Sequence, residues 1–235
     1  MKIYVPSYGR AGQSTTMTKI PSAVIVVPEK QKSEYEEAYP GRVIAIPDDK
    51  DGNVAKKRNA VLELVEYGEL FWMLDDDLVK ADFLKTGPIE DIEQVLESLH
   101  STMESGGFDF GGFNVTSDPV KYAEYAPFSL TKPSYAAVCL RRIQGITYDL
   151  CLKRFEDMDI FLQYLKHSKM VFRDNRIFLT FLTNKVKAST NQNGGIVGND
   201  ADHEDAKLAI LNKWGNLIRV KNGIVSGINS PIGGP

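Results

Sequence analysis

The stretch Leu70–Asp77, LFWMLDDD, constrains the fold more than any other part of this chain. Five large apolar residues in a row have the length and composition of a strand that is buried on both faces. Three consecutive carboxylates cannot follow them into an apolar interior, because burying an isolated charge is very costly. The stretch therefore predicts an interior strand that ends at Leu74, with Asp75, Asp76 and Asp77 at the edge of its sheet.

Strands and helices alternate in the first third of the chain. Proline closes each of three short runs rich in β-branched residues, as expected for strands that end at a sheet edge. These runs are Ile3–Val5, Ala23–Val27 and Arg42–Ile46. Helices are predicted from Glu29 to Tyr39 and from Asn53 to Tyr67. The alternation favours an α/β fold with parallel neighbouring strands.

The later elements are predicted by the same rules. A helix after Pro88 repeats apolar residues at the spacing of one buried face. Glycine pairs alternate with aromatic residues from Gly106 to Phe113, and glycine within a strand marks close approach by another backbone or a ligand. The remaining predicted elements are a helix from Glu156 to His167, two strands joined by a turn at Asp174–Asn175, a polar loop from Ala188 to Asp205, a helix from Ala206 to Trp214 and a loose tail from Gly223.

The acidic strand tip is a candidate metal site. In an open α/β sheet, ligands bind beyond the carboxyl ends of the strands. If the chain stays extended, Asp75 and Asp77 point to one side and Asp76 to the other. Two like carboxylates repel each other unless a hard divalent cation lies between them, with phosphate oxygens completing its shell. A solvated acidic turn is the alternative.

Arg58 is unusual because it falls on the apolar face of the helix predicted from Asn53. The apolar residues of that face are Val54, Val61, Leu62 and Val65. A guanidinium in such a place needs an anionic partner. That partner is either a carboxylate of the strand tip or a phosphate of a ligand. Both alternatives put Arg58 close to Asp75–Asp77.

The segment FEDMDIF, residues 155–161, begins a helix with three acids. Acidic residues in a first turn interact favourably with the helix dipole, which is enough to explain Glu156 and Asp159. Asp157 instead shares the apolar face of Met158 and Phe161, whereas Asp159 points away from it. We expect partial desolvation to raise the pKa of Asp157, which suits a general base.

Two loops hold further candidates. PSYGRAG, residues 6–12, fits neither a dinucleotide-binding nor a Walker glycine pattern, and it is interpreted as a turn that offers Tyr8 and Arg10 to a base or a phosphate. His203 lies among acids in the polar loop. It is either a solvated side chain or, if that loop closes as a lid, a metal ligand.

These motifs, in this order, resemble those of GT-A glycosyltransferases. The resemblance rests on the loop after the first strand, the pair Arg58–Asn59, the D-x-D motif Asp75–Asp77 and the pair Glu156–Asp157. Within that fold, residues 5–29 are similar to the TET-associated glycosyltransferases, many of which are encoded by bacteriophages. The resemblance implies a GT-A-like, Rossmann-type mixed α/β sheet flanked by helices, in a single domain.

The resemblance also implies a reaction. The expected donor is a nucleotide sugar, with UDP as the nucleotide, and the expected acceptor is a hydroxymethylated pyrimidine of DNA, such as 5-hydroxymethylcytosine. A hexosyl or pentosyl group would be transferred with inversion, and Mn²⁺ or Mg²⁺ would be the cofactor. The implied roles are base catalysis by Asp157 with Glu156 beside it, metal binding by Asp75, Asp77 and His203, and donor binding by Pro6, Ser7, Tyr8, Arg10, Arg58, Asn59, Asp75 and Asp76.

Charge divides the chain into two halves. Residues 1–117 contain 12 lysines and arginines against 20 aspartates and glutamates, whereas residues 118–235 contain 16 against 11. An acidic half suits cations and a basic half suits a polyanion. We therefore expect a single domain at 1–222, with a nucleotide-sugar and metal half at 1–117 and an acceptor half at 118–222, and a flexible tail at 223–235. DNA phosphates are expected at Arg141, Arg142, Lys153 and Arg154, unless these are solvated surface.

The sequence also bears on location and on rival functions. No run of about 18 apolar residues is present, so no membrane association is expected. Two cysteines suggest reduced thiols in a cytoplasm, that of the host if a phage encodes the chain. No protein partner is implied. The alternatives are a GT-A-like nucleotidyltransferase that acts on a sugar phosphate, and a nucleic-acid-binding module without catalysis.

Overall fold

The computed structural model of the 235-residue chain describes residues 1–115, 124–152, 154–182 and 200–229, the last without the side chains of 200–203. The described strands are β1 (Ile3–Pro6), β2 (Val24–Pro28), β3 (Val43–Ile46), β4 (Leu70–Leu74), β5 (Leu78–Phe83), β6 (Gly87–Ile89), β7 (Phe110–Asn114), β8 (Phe128–Ser129), β9 (Ala137–Arg141), β10 (Phe172–Phe181), β11 (Ile218–Lys221) and β12 (Ile224–Ile228). The described α-helices are α1 (Thr15–Lys19), α2 (Lys32–Ala38), α3 (Val54–Glu63), α4 (Ile92–Gly106), α5 (Glu156–Ser168) and α6 (Asp200–Trp214).

Strands β1 to β10 form one mixed sheet in the described part of the chain, in the order β3-β2-β1-β4-β9-β7-β10-β5-β6, with β8 paired to β10. Strands β3, β2, β1 and β4 are parallel, as the alternation of strands and helices predicts. Strand β9 runs antiparallel between β4 and β7, and β10 is parallel to β7. The carboxyl ends of β1 and β4 therefore meet at one edge of the sheet.

Helices cover both faces of this sheet. Helices α3, α5 and α6 lie in one apolar cluster, where Val61, Phe161 and Ile210 have no exposed surface. Helices α1, α2 and α4 lie in a second cluster, where Tyr35 and Leu96 are equally buried. A mixed sheet between two helical layers confirms the predicted α/β fold class.

Strand β4 is the interior strand that the sequence predicts. All five of its residues are buried, and Trp72 stacks on Phe113 of β7 with ring centroids 5.6 Å apart. The chain then turns at Asp76 and Asp77 and enters β5, which pairs with β10 rather than with β4. The three aspartates thus lie beyond the carboxyl end of the buried strand.

Gly111 and Gly112 of β7 mark a close backbone approach, as predicted. A Cβ atom on Gly112 would lie 2.8 Å from the carbonyl oxygen of Ala137. A Cβ atom on Gly111 would lie 2.8 Å from the carbonyl oxygen of Phe172. Because ordinary side chains do not tolerate such distances, the neighbouring backbone explains the glycines.

The segment 172–181 differs from the prediction, because it forms one strand instead of two strands around a turn. The register of β10 against β7 shifts between Asp174 and Phe178, at the dipeptide where the turn was expected. Residues before this shift also pair with β8, and residues after it pair with β5. The register shift lets one continuous strand pair with β8 before the shift and with β5 after it, so the chain does not need to reverse its direction.

The C-terminal segment also differs from the prediction. Strands β11 and β12 form an antiparallel hairpin, and Val225 is buried. The expected flexible tail is therefore wrong for Ile224–Ile228, which the buried valine anchors to the protein. Helix α6 begins at Asp200, earlier than the predicted Ala206. Most of the predicted polar loop, at 188–199, and the last six residues, 230–235, lie outside the described residues.

In the four described ranges, no helix has both the length and the apolar character needed to cross a membrane. Both cysteines, buried Cys139 and exposed Cys151, are free thiols, as the cysteine count predicts.

Candidate active site

A cleft of about 900 Å³ opens at the carboxyl edge of the sheet, beside the end of β4. The loop after β1, the start of α3, the turn at Asp75–Asp77 and the start of α5 form its walls. The predicted site residues that line it are Pro6, Ser7, Tyr8, Arg10, Arg58, Asp75, Asp76, Asp77, Arg154, Glu156 and Asp157. The topology thus brings together motifs that are far apart in the sequence.

The three aspartates have different surroundings. Asp76 is buried, pairs with Arg10 and accepts a hydrogen bond of 2.5 Å from Ser7 Oγ. Asp77 is also buried, with its Oδ2 atom 3.7 Å from Arg10 Nη1. The side chain of Asp75 is 37% exposed. The expected alternation of sides does not hold, because the chain turns at Asp76 and brings both later aspartates to Arg10.

Arg58 has a carboxylate partner, one of the two alternatives that the sequence left open. Its Nη2 atom lies 2.9 Å from Asp75 Oδ1 and its Nη1 atom 3.2 Å from Glu156 Oε1. Burial opposes its charged form, but the charges of Asp75, Glu156 and Asp157 outweigh burial and raise the pKa of Arg58. The guanidinium therefore ties the end of β4 to the start of α5.

Helix α5 begins in the cleft with two carboxylates. Phe155, just before it, has a φ of 65°, an uncommon value for a residue other than glycine. Burial raises the pKa of Glu156 to about 7, against the charge of Arg58. Burial likewise raises the pKa of Asp157, as expected from its place on the apolar face. One guanidinium faces three carboxylates, so a proton or a cation would relieve the excess negative charge.

Asp159 corrects the sequence interpretation of α5, because it is not a solvated acid of the first turn. It has no exposed surface. Its carboxylate accepts hydrogen bonds of 2.7 Å from Trp214 Nε1 and 2.8 Å from Gln163 Nε2, and it pairs with Lys213 at 2.8 Å. Its role is to join α5 to α6.

Lys57 is a cleft residue that the sequence analysis missed. Its Nζ atom donates a 2.7 Å hydrogen bond to the carbonyl oxygen of Ser7 and lies 3.0 Å from Asp51. Burial lowers the pKa of Lys57, although Asp51 opposes this effect. The same ammonium lies 5.0 Å from the ring centroid of Tyr8, whose side chain is partly exposed to the cleft. Lys57 follows Val54 by one helical turn, so the sequence places both on one face of α3; that face is the wall of the cleft rather than core, because Val54 is 37% exposed there.

The acidic turn fits a divalent cation in part. Within the described ranges there is no group of three histidine, cysteine or acidic side chains arranged to hold a metal ion. Asp75 and Asp77 both line the cleft, but Asp77 is only 2% exposed. A cation here would need phosphate and water oxygens as further ligands. The side chain of His203 lies outside the described residues.

Asn59 does not line the cleft, unlike its neighbour Arg58. Its side-chain amide donates a 2.8 Å hydrogen bond to the carbonyl oxygen of Tyr148 and accepts one of 2.8 Å from the backbone N–H of Tyr148. Asn59 therefore holds the segment before α5 in place and is not brought into the cleft with the other predicted donor-binding residues.

The predicted acceptor residues are not brought together. Arg141 lies opposite Leu70, at the far end of β4 from the cleft, because β9 runs antiparallel to β4. Its guanidinium pairs with Asp109 and Glu104, each at 3.1 Å. Arg142 bonds the carbonyl oxygen of Val65 and stacks on Tyr67. The structure therefore does not bring Arg141 and Arg142 to the cleft.

The other predicted basic pair is only partly described. Arg154 lines the cleft, just before the catalytic start of α5 that the sequence predicts. Lys153 lies outside the described residues.

A mixed α/β sheet with acidic residues beyond a central strand, and carboxylates at the start of a later helix, defines the class of GT-A-like glycosyltransferase folds. The solved structure of S. aureus TarS 1–349 has a similar fold, with a TM-score of 0.51 and 14% identity, covering 94% of this chain and 76% of that one. The family model of the TET-associated glycosyltransferases matches residues 1–195. This chain belongs to that family.

A curated relative adds a functional lead. The chain is 34% identical over 82 residues to a beta-glucosyl-HMC-alpha-glucosyl-transferase of Enterobacteria phage T2. The match covers 33% of this chain and 29% of that protein, so the chain spans less than a third of the relative's length.

Proposed function

We propose that this protein transfers a sugar from a nucleotide-sugar donor, expected to be a UDP-sugar, to a hydroxymethylated pyrimidine in DNA. Family membership supports glycosyl transfer over nucleotidyl transfer and over binding without catalysis. The name of the phage relative supports hydroxymethylcytosine that carries glucose as the kind of modified base on which such an enzyme acts. The observation that carries the proposal is the cleft in which Arg58 meets Asp75, Glu156 and Asp157.

The loop after β1 and α3 offer a nucleotide-binding wall. The exposed ring of Tyr8 is available for stacking on a base, and the buried ammonium of Lys57 fixes the loop through the Ser7 carbonyl oxygen. Arg58 would stabilise the diphosphate as negative charge builds on it during departure. A Mn²⁺ or Mg²⁺ ion held by Asp75 and Asp77 would supply further charge neutralisation when bound.

The start of α5 offers the base. Asp157 lies in the cleft with a raised pKa, which increases the basicity of its ionised form. It would accept the proton of the acceptor hydroxymethyl group as the oxygen attacks the anomeric carbon and the nucleoside diphosphate leaves. A single displacement of this kind inverts the anomeric configuration. Glu156, bound to Arg58, would hold the guanidinium against the leaving group.

The donor is tested with a panel of nucleotide sugars, with and without Mn²⁺, by measuring hydrolysis in the absence of an acceptor. We expect slow hydrolysis of one class of donor that requires the metal. Asp77→Asn should abolish the metal-dependent donor binding, whereas Asp82→Ala, on the neighbouring strand β5 outside the cleft, should not. Unchanged metal and donor binding by Asp77→Asn would make the turn a purely structural acidic turn.

The acceptor is tested by transfer to hydroxymethylated DNA at several salt concentrations. Phosphate contacts release counterions, so the apparent DNA affinity should fall with a log–log slope of about -0.9 for each contact on a duplex. Donor affinity should change much less. A flat response to salt would argue against DNA as the acceptor while leaving glycosyl transfer intact.

A further inference from the structure

Arg173 is a buried cation without a carboxylate partner among the described residues. It is 7% exposed, and its hydrogen bonds go to neutral groups: Nε donates to Asn175 Oδ1 at 2.8 Å, and Nη1 donates to the Pro133 carbonyl oxygen at 3.1 Å. Adjacent Asp174 is not its partner, because that carboxylate pairs with Arg176 at 2.6 Å. Burial lowers the pKa of Arg173 to about 10.

A guanidinium in this setting calls for an anion from a ligand. Removing a charge from water is costly unless an opposite charge compensates it. The described part of the protein offers Arg173 an amide oxygen and a carbonyl oxygen, which satisfy hydrogen bonds but leave the charge unbalanced. Carboxylate and phosphate are the anions whose geometry matches a guanidinium, and phosphate is the one that a nucleic acid supplies.

Tyr135 connects Arg173 to the reaction centre. Tyr135 and Asp157 line the same small cavity. Burial raises the pKa of Tyr135, the charge of Asp157 adds to this rise, and the charges of Arg173 and Arg219 oppose it. Arg173 reaches the same segment by geometry, because its Nη1 atom bonds the carbonyl oxygen of Pro133, two residues before Tyr135.

The backbone beside Tyr135 is held in an uncommon conformation. Ala136 has a φ of 61°, and the N–H of Ala137 donates a 2.6 Å hydrogen bond to the carbonyl oxygen of Tyr135, which closes a γ-turn. The carbonyl oxygen of Ala136 accepts a 2.8 Å hydrogen bond from the N–H of Asp75. Such strained residues cluster at functional sites. The turn fixes Tyr135 directly beside the acidic tip of β4.

Arg219 supplies a second cation from the C-terminal hairpin. It is exposed, and its guanidinium pairs with no carboxylate in the described part of the chain. The charges of Arg173 and Arg219 both act on Tyr135. Arginines together with an aromatic ring are the chemistry that binds nucleic-acid backbones and unstacked bases. Arg141 and Arg142 cannot serve this purpose, because they lie at the other end of the sheet.

We propose that Arg173, Tyr135 and Arg219 form an anion subsite that takes a backbone phosphodiester of the nucleic-acid acceptor, next to the base that receives the sugar. This inference rests on the proposed function, because it requires a nucleic-acid acceptor whose target base reaches Asp157. Tyr135 would lie against the target nucleotide, and Arg173 would bind the adjacent phosphate.

The test compares Arg173→Met with Arg176→Met, a matched loss of one arginine from the same strand whose partner is Asp174. The probe is a duplex oligonucleotide with one 5-hydroxymethylcytosine, and its dissociation constant is measured at several salt concentrations without donor. Arg173→Met should weaken binding about tenfold or more and make the log–log salt slope shallower by about 0.9. Arg173→Lys should recover part of the affinity, and Arg176→Met should bind like the parent.

A variant at an exposed position provides a second measurement in case Arg173→Met does not fold. Arg219→Met changes an exposed side chain and should also make the salt slope shallower. The inference is overturned if Arg173→Met and Arg219→Met both bind the oligonucleotide as Arg176→Met does. It is also overturned if Arg173→Met weakens nucleotide-sugar binding but not DNA binding, because the anion would then belong to the donor. A parent protein that hydrolyses a donor but neither binds nor glycosylates the oligonucleotide would instead refute the DNA acceptor of the proposed function.

Discussion

At the scale of single residues, the cleft is a charge balance centred on Arg58. Three carboxylates, those of Asp75, Glu156 and Asp157, act on one buried guanidinium. Because one positive charge cannot neutralise three negative ones, burial raises the pKa values of both acids at the start of α5. This balance makes specific predictions for substitutions and for pH.

The first prediction concerns Asp157. Asp157→Asn keeps the size and the hydrogen bond from the Met158 N–H but removes the basic carboxylate. We expect the dissociation constant of the donor to stay unchanged and the transfer rate to fall by a factor of about 10²–10⁴. Single-turnover transfer to hydroxymethylated DNA measures the change, with nucleotide-sugar binding measured in parallel. Normal transfer by this variant would assign the proton to another group, with Glu156 as the next candidate.

The second prediction concerns the pH dependence of stability. In the folded protein burial holds the pKa of Glu156 at about 7, above the value of about 4.3 expected in an unfolded chain. Between these values the folded state binds the proton more tightly, so the free energy of unfolding should fall as pH rises, by up to about 4 kcal/mol. Glu156→Gln cannot ionise and should remove this part of the slope.

Denaturant titrations of parent and Glu156→Gln from pH 4 to pH 8 check this prediction. Glu63→Gln is a suitable control, because its side chain is half-exposed and outside the cleft. If parent and Glu156→Gln show the same slope in this range, Glu156 is ionised throughout and Arg58 compensates its burial.

At the scale of secondary-structure elements, glycines in β7 allow the neighbouring backbone segments to approach this strand closely. Gly112 faces the Ala137 carbonyl oxygen and Ser134, and both belong to the segment that also carries the γ-turn at Ala136. A side chain at this position must move backbone rather than a flexible group. Packing of β7 and placement of Tyr135 are therefore coupled.

The third prediction follows from this coupling. Gly112→Ala should lower the free energy of unfolding by about 1–3 kcal/mol through overpacking. Gly106→Ala, at the end of α4, is the control, because its new Cβ atom would meet the ring of Phe108, which is a movable side chain. Chemical denaturation of both variants measures the difference. If the two variants are equally stable, β9 and the segment before it can move to accept the new Cβ atom without a loss in the free energy of unfolding.

At the scale of the whole molecule, the C-terminal hairpin is part of the folded domain. Val225 is buried in the same apolar cluster as α5 and α6. Strand β11 also carries Arg219, whose charge opposes the rise in the pKa of Tyr135. The hairpin therefore adds to both the core and the proposed acceptor side of the protein.

The fourth prediction tests this contribution by truncation. Ending the chain after Asn222 removes β12 and should cost about 1.5–3 kcal/mol for the loss of one buried valine, with a lower midpoint of thermal unfolding. Ending it after Asn229 keeps the hairpin complete and is the matched control. If both truncations unfold at the temperature of the parent, β12 does not stabilise the domain.

Elements with a local sequence pattern could be predicted from the sequence alone. A run of five apolar residues predicts β4 as an interior strand, because both of its faces are apolar and only an interior strand is buried on both faces. The carboxylates that follow it must then stand at a sheet edge, and Arg58 must find an anion there. Parallel strands with helical crossovers bring those edges together, so most of the cleft could be predicted before any coordinates.

Which polar side chains reach the cleft depends on tertiary contacts that no local pattern shows. The antiparallel insertion of β9 carries Arg141 to the far end of the sheet, and no local pattern reveals its direction. The packing of α6 on α5 buries Asp159 against Trp214, although its position alone suggests a solvated acid. Arg173 of β10 reaches the carbonyl oxygen of Pro133, in the segment before β9, because β7 lies between β9 and β10 in the sheet. The local sequence indicates whether a side chain is buried and whether its charge needs a partner. Which residue becomes that partner depends on contacts between segments that are far apart in the sequence.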